Sequence, residues 1–169
     1  MQAIVSEVPT DTTPFRSPIR DLYHSGLRRY LRSDRILIDL KARKKEAAIR
    51  ELTSLLEPEV PDLRRFLSSL LQKEARFGSA VEKGVAIPHY RDDWVSEPVV
   101  CLGISREGIA FGNAPEPVHI LVLIAWPLRH HQVYLKTVGE LAWLFHNTSV
   151  RRLLMLAESS EEALEILSQ

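Results

Sequence analysis

The chain has 169 residues, long enough to bury one substantial core without disulfides or a metal ion. Its 22 basic and 22 acidic side chains cancel, so bulk charge recommends neither nucleic acid nor an anionic membrane surface as a partner. The single cysteine, Cys101, lies in the apolar run Val99-Val100-Cys101-Leu102 and allows no internal disulfide framework, which fits a reducing, cytoplasmic setting. No apolar run approaches membrane-spanning length, and acids and prolines stand at the N-terminus where a signal peptide needs an apolar core.

Residues 1 to about 18 carry Pro9, Pro14 and Pro18 among Thr, Ser and Asp, too little apolar material to offset ordering entropy, and are expected to form a mobile tail. Ile19, Leu22, Tyr23, Leu27, Tyr30 and Leu31 then recur at near-helical spacing between Arg20, Arg28, Arg29 and Arg32. This reads as a short basic helix that Gly26 weakens, completing an N-terminal extension over residues 1–32. A folded domain follows over 33–169.

Ile36-Leu37-Ile38 is a predicted strand, and Asp39 begins the turn into an amphipathic helix carrying Ala48, Ile49, Leu52, Leu55 and Leu56. Pro58 and Pro61 end it. A second helix places Leu63, Phe66, Leu67, Leu70 and Leu71 on one face, with Asp62 in its first turn and Gly78 as its stop. The segment Gly84-Val85-Ala86-Ile87-Pro88-His89 then reads as a short buried strand halted by proline, which delivers His89 at a rigid strand end before the charged run Arg91-Asp92-Asp93.

Val99 to Ile104 is a predicted strand, followed by a turn at Glu107-Gly108 and a short apolar piece over 109–111. Val118 to Trp126, the most apolar run, reads as a central strand stopped by Pro127. From His131 helical spacing runs through Leu135, Val138, Leu141, Ala142 and Phe145, and Val150 to Leu156 adds more helix. Ser159-x-x-Glu162 is a capping-box pattern that opens a terminal helix. Short strands interleaved with helices predict an α/β fold, a mixed central β-sheet covered by helices on both sides.

His89 is the candidate for chemistry. A lone histidine is commonly a structural hydrogen-bonding residue, but a glycine approach, a proline stop and a charged exit set this one apart from core filling. His119 beside a buried strand reads as a satisfied structural residue, and Trp126, Trp143 and Phe145 read as core. A zinc site from His89, His119 and His131 lacks any recognisable ligand spacing, so neither a metal nor a cofactor is expected. No serine or cysteine stands in a nucleophile motif that would suggest a hydrolase.

GVAIPH, the preceding Lys73-Glu74, the sequence Glu97-Pro98-Val99 and the run from Pro117 to Pro127 with a Leu-rich helix after it resemble a known family. It is the IIA domain of the phosphoenolpyruvate-dependent phosphotransferase system, of the fructose, mannitol and nitrogen-regulatory type, and the resemblance covers about residues 33 to 168. It implies that His89 accepts a phosphoryl group from the phosphocarrier HPr, forming a phosphohistidine, and passes it to a IIB domain or a regulatory target. Lys73 and Tyr134 would then support the phosphoryl group, and Glu74 and Ser79 would orient the loop. Neither nucleic acid nor membrane insertion is expected, and a free-standing bacterial, nitrogen-regulatory IIA fits better than a sugar permease component.

Against that family pattern the shell around the phosphoryl group is thinned. Lys73 stands where an arginine is usual, and a lysine cannot grip phosphate with a bidentate fork. Tyr134 occupies the position of a second active-site histidine and brings no charge. The hydroxyl-rich and glycine-rich loop becomes Ser79-Ala80-Val81-Glu82-Lys83, and Tyr90 replaces a glycine. His130 and His131 are possible accessory cations, or simply solvated loop histidines. The alternative reading is therefore a IIA-like binding module that has lost phosphotransfer and regulates a partner protein.

Overall fold

A computed structural model describes Leu27 and residues 29–168. The mobile tail and most of the basic helix expected before residue 32 lie outside the described residues. The elements in chain order are β1 (Ile36–Leu37), α1 (Lys45–Thr53), α2 (Leu63–Phe77), β2 (Val85–Ala86), β3 (His89–Arg91), β4 (Val99–Ile109), β5 (Val118–Trp126), α3 (His131–His146), α4 (Thr148–Leu156) and α5 (Ser160–Ile166), with short 3-10 turns at Ser33–Arg35 and Leu128–His130.

The strands form one mixed five-stranded sheet in the order β1-β4-β5-β2, with β3 also on β5. β4 and β5 pair antiparallel at the centre, from Val99 opposite Ala125 to Ile104 opposite Ile120, while β1 on β4 and β2 and β3 on β5 are parallel. Both faces are covered, which explains why β5 from Ile120 to Trp126 reads as a continuous apolar run. Ile120, Val122, Ile124 and Trp126 face one core with Leu141, Leu144, Phe145 and Leu154. Leu121, Leu123 and Ala125 face the other with Ala48, Ile49, Leu52, Phe66 and Leu70. Leu27 and Leu31 are buried in the first of these cores.

Capping follows the sequence signals. Asp62 accepts from the Arg65 amide at 2.9 Å and starts α2, and Gly78 closes it at φ 64°. Ser159 accepts from the Glu162 amide at 3.1 Å, whereas the Glu162 carboxylate reaches back to the Glu158 amide at 2.8 Å, one residue before the expected partner.

Several predicted boundaries are corrected. β1 ends at Leu37, because Ile38 and Asp39 already form a turn. The chain does not leave the sheet at His89. Pro88 removes one N–H donor, yet its carbonyl still accepts from Ile124 N at 3.0 Å, and pairing with β5 resumes at His89 opposite Ile124 and runs to Arg91 opposite Trp126. Likewise Glu107-Gly108 does not separate two strands. β4 continues to Ile109 through a register shift after Ile104, with Gly108 at φ 85° and its amide held by Ser105 Oγ at 3.1 Å.

The buried face of α3 also differs from the one predicted. Tyr134, Thr137, Leu141, Leu144 and Phe145 turn inward, while Leu135 and Trp143 are each 54% exposed and Ala142 is exposed. Trp143 lies nine positions beyond Tyr134, about two and a half turns, and so on the opposite side of the helix. Trp126 and Phe145 are core as expected.

Candidate functional site

The strand that carries His89 sorts its own side chains. Successive residues of a strand point to opposite faces. Tyr90 packs against the α2 side, where its ring meets Phe66 edge to face at 5.9 Å. His89 and Arg91 therefore share the α3 side, with Tyr134 from the first turn of α3 lying across them. The His89 and Tyr134 ring centroids are 6.1 Å apart, and the Arg91 guanidinium carbon is 4.5 Å from the Tyr134 ring centre. Trp126 backs Tyr134 at 5.9 Å and fixes its position.

The half-buried imidazole of His89 has a defined tautomer. Its Nδ1 lies 2.8 Å from the carbonyl oxygen of Ile87. A carbonyl only accepts, so this contact assigns the proton to Nδ1 and leaves the lone pair on Nε2. Burial lowers the pKa of His89 below its ordinary value; the Ile87 carbonyl opposes that shift and the Lys73 charge adds to it. The ring is accordingly neutral at physiological pH, with a nucleophilic nitrogen.

Lys73, on α2, donates from Nζ to the carbonyl oxygen of His89 at 2.9 Å. Burial also lowers its pKa, with Glu74 opposing and Arg91 contributing in the same direction. Tyr134, 7% exposed, has its phenol pKa raised by burial and partly pulled back by Arg91. Among the described residues neither Lys73 nor Arg91 is ion-paired to a carboxylate. Two cations therefore lie beside a neutral histidine with no anion bonded to either, which is the electrostatic arrangement that favours an incoming anion.

The remaining candidates fall in different places. His131, the first residue of α3, meets Arg91 with Nη1 and Nδ1 2.7 Å apart, while His130 is exposed and lies beside Arg129 at 3.2 Å. Glu74 and Ser79 line a separate cavity of about 760 Å³ together with Lys45 and Phe111. Both hold the loop after α2 through their backbones: Glu74 O accepts from Gly78 N at 3.1 Å, and Ser79 O accepts from Ile87 N at 2.9 Å. His119 donates from Nδ1 to Ser105 O at 2.8 Å, consistent with a structural role. Cys101 is fully buried, and burial pushes its thiol pKa up to about 12, so it is inert as a nucleophile. Among the described residues no group of three or more His, Cys, Asp or Glu side chains could hold a metal ion, and no helix is long and apolar enough to cross a membrane.

Arg91 is the residue that sequence reasoning missed. It read as part of a charged exit run because the strand was taken to end at His89. Had the predicted strand been carried past His89 to Arg91, the two-residue spacing would have put Arg91 on the same face as the histidine.

Comparison with known proteins agrees with this architecture. Residues 29–169 match the family described as "Phosphoenolpyruvate-dependent sugar phosphotransferase system, EIIA 2". The fructose-specific EIIA component of Haloferax volcanii is 31% identical over 128 residues, covering 74% of this chain and 83% of that protein. The fructose-specific EIIABC component of Bacillus subtilis is 24% identical over 137 residues, 79% of this chain; the matched part spans 22% of that larger protein. The crystal structure of the nitrogen regulatory protein IIA-Ntr from Neisseria meningitidis superposes with a TM-score of 0.78 at 26% identity, covering 83% of this chain and 98% of that one. With its sheet order, its helical covering and a family match across all but the first 28 residues, the chain belongs to the EIIA type 2 family of the phosphoenolpyruvate-dependent sugar phosphotransferase system.

Proposed function

We propose that this protein is a phosphoryl carrier in which His89 Nε2 accepts a phosphoryl group from an HPr-like phosphocarrier and passes it to a IIB domain or a regulatory target. The observation that carries this reading is the contact between Nδ1 and Ile87 O, which keeps the proton on the far nitrogen and the lone pair of Nε2 available. In the step, the Nε2 lone pair forms a bond to phosphorus as the bond from phosphorus to the donor breaks, and that electron pair returns to the donor. Positive charge that develops on the His89 ring is stabilised through Nδ1–H by the Ile87 carbonyl. Lys73 contributes a fixed charge next to the strand, and Tyr134 walls the ring on the α3 side. Handing the group on reverses the same bond changes, so one half-buried histidine serves two partners in turn.

A regulatory, nitrogen-related role is supported by the likeness to IIA-Ntr, and on this reading the protein works in the cytoplasm, where its donor would be met. Phosphorylation would act on a target by placing negative charge and acceptor oxygens on a protein-binding surface. The test is reconstitution with phosphoenolpyruvate, enzyme I and HPr. Wild type is expected to gain an acid-labile phosphate and His89→Ala none. With the donors active on a control protein, an unlabelled wild type would favour the alternative, a binding module that no longer transfers phosphate, for which the loss of the second family histidine to Tyr134 is the motive.

A further inference from the structure

We infer that Arg91 is a phosphoryl-binding residue of this site, supplying the cationic hydrogen-bonding fork that Lys73 and Tyr134 cannot. The inference rests on His89 being the phosphoryl acceptor. Three contacts aim the guanidinium: Nη1 donates to His131 Nδ1 at 2.7 Å, Nη2 donates to Leu128 O at 2.8 Å, and the plane lies against the Tyr134 ring at 4.5 Å. A side chain fixed at both ends of its fork and stacked on an aromatic ring has little rotamer freedom left to lose when an anion arrives.

A guanidinium carries five N–H donors, and these bonds use two of them. The buried Nε has no partner, and no carboxylate is ion-paired to the group among the described residues. Its charge acts on two neighbours of His89, lowering the pKa of both Lys73 and Tyr134. His131 has a defined place in the arrangement. Because Arg91 only donates, His131 Nδ1 accepts, so this histidine is a positioning residue for Arg91 and not itself the cation. Three equatorial oxygens on a phosphoryl group bound to His89 call for such donors, and Arg91 extends from the same strand face two residues along.

The test compares wild type, Arg91→Gln, Arg91→Lys and His131→Ala in the reconstituted transfer assay, with inorganic phosphate followed separately by NMR at the Arg91 Nε–H. Arg91→Gln is expected to slow phosphoryl acceptance by about 10²–10³-fold, the loss typical of one charge-stabilising donor. Arg91→Lys should recover only part of that, and His131→Ala should cost less than Arg91→Gln. Added guanidinium ion at millimolar concentration should partly rescue Arg91→Gln, which a purely structural defect would not allow. Labelling of Arg91→Gln at the wild-type rate overturns the inference and leaves His89 as carrier. If wild type itself takes no label, the carrier reading fails, and the phosphate titration then decides the present one: a shift at Arg91 Nε–H with weakened phosphate binding in Arg91→Gln supports the anion site, and phosphate binding equal in wild type and Arg91→Gln refutes it.

Discussion

At the residue scale the proposed transfer depends on the tautomer and charge state of His89. Burial, opposed by Ile87 O and reinforced by Lys73, holds its pKa below 6.5. Tyr134 also faces this ring from α3, with Arg91 stacked on Tyr134. A base with a depressed folded pKa is neutral in the fold at pH values where the unfolded chain has begun to bind a proton. Stability contributed by this group is therefore flat above about pH 7 and declines as pH falls through the interval between the ordinary and the lowered value. Phosphoryl acceptance should be flat over the same upper range and fall on further acidification, as the ring in the folded protein takes up a proton. Titration of the His89 ring by NMR should give a midpoint under 6.5; a midpoint above it would contradict the assignment. His89 as a candidate came from glycine, proline and histidine spacing alone, whereas the place of Arg91 on the same strand did not, because it depends on sheet pairing that resumes past a proline.

The element scale shows where local sequence signals were sufficient and where packing decided. The helix start at Ser159 was legible because an N-cap is a bond between near neighbours in sequence, while Asp62, expected inside the first turn of α2, caps it from one position before. Ser159→Ala should cost about 0.5–2 kcal/mol in a urea unfolding series, with no change in phosphoryl acceptance. The inward face of α3 was only partly legible: Leu141 and Phe145 are buried and Val138 packs against the core as expected, but Leu135 and Ala142 are exposed. Its apolar residues lie on more than one side, and the choice fell to Tyr134, which fills the space beside Trp126 and His89. The bulge in β4 was misread for a related reason: Glu107-Gly108 carries turn chemistry, but cross-strand pairing of Ile109 with Val118 keeps the strand going. At Gly108 an added Cβ would stand 2.7 Å from Pro117 Cβ with φ at 85°. Gly108→Ala should therefore destabilise by about 1–3 kcal/mol, measured by the same unfolding series.

For the whole molecule, a sheet buried on both faces leaves the proposed phosphoryl site at the side of β3 that looks toward α3. The alternating cores explain why the fold class was readable: period-two strands and period-3.6 helices each needed a covered partner, and an α/β arrangement supplies one on both sides. Trp126 ties this architecture to the site, since it is fully buried and contacts both Tyr30 and Tyr134. Trp126→Ala should cost about 3–5 kcal/mol of stability, and if it still folds it should slow phosphoryl acceptance by releasing Tyr134.

Nitrogen-15 NMR of the His89 imidazole, recorded before and after incubation with phosphoenolpyruvate, enzyme I and HPr, bears most directly on the account. The expected result is a neutral ring with the proton on Nδ1 before transfer and a phosphorus-coupled Nε2 after it. Phosphorus on Nδ1, or an unchanged His89 ring while label appears on another residue, would contradict it.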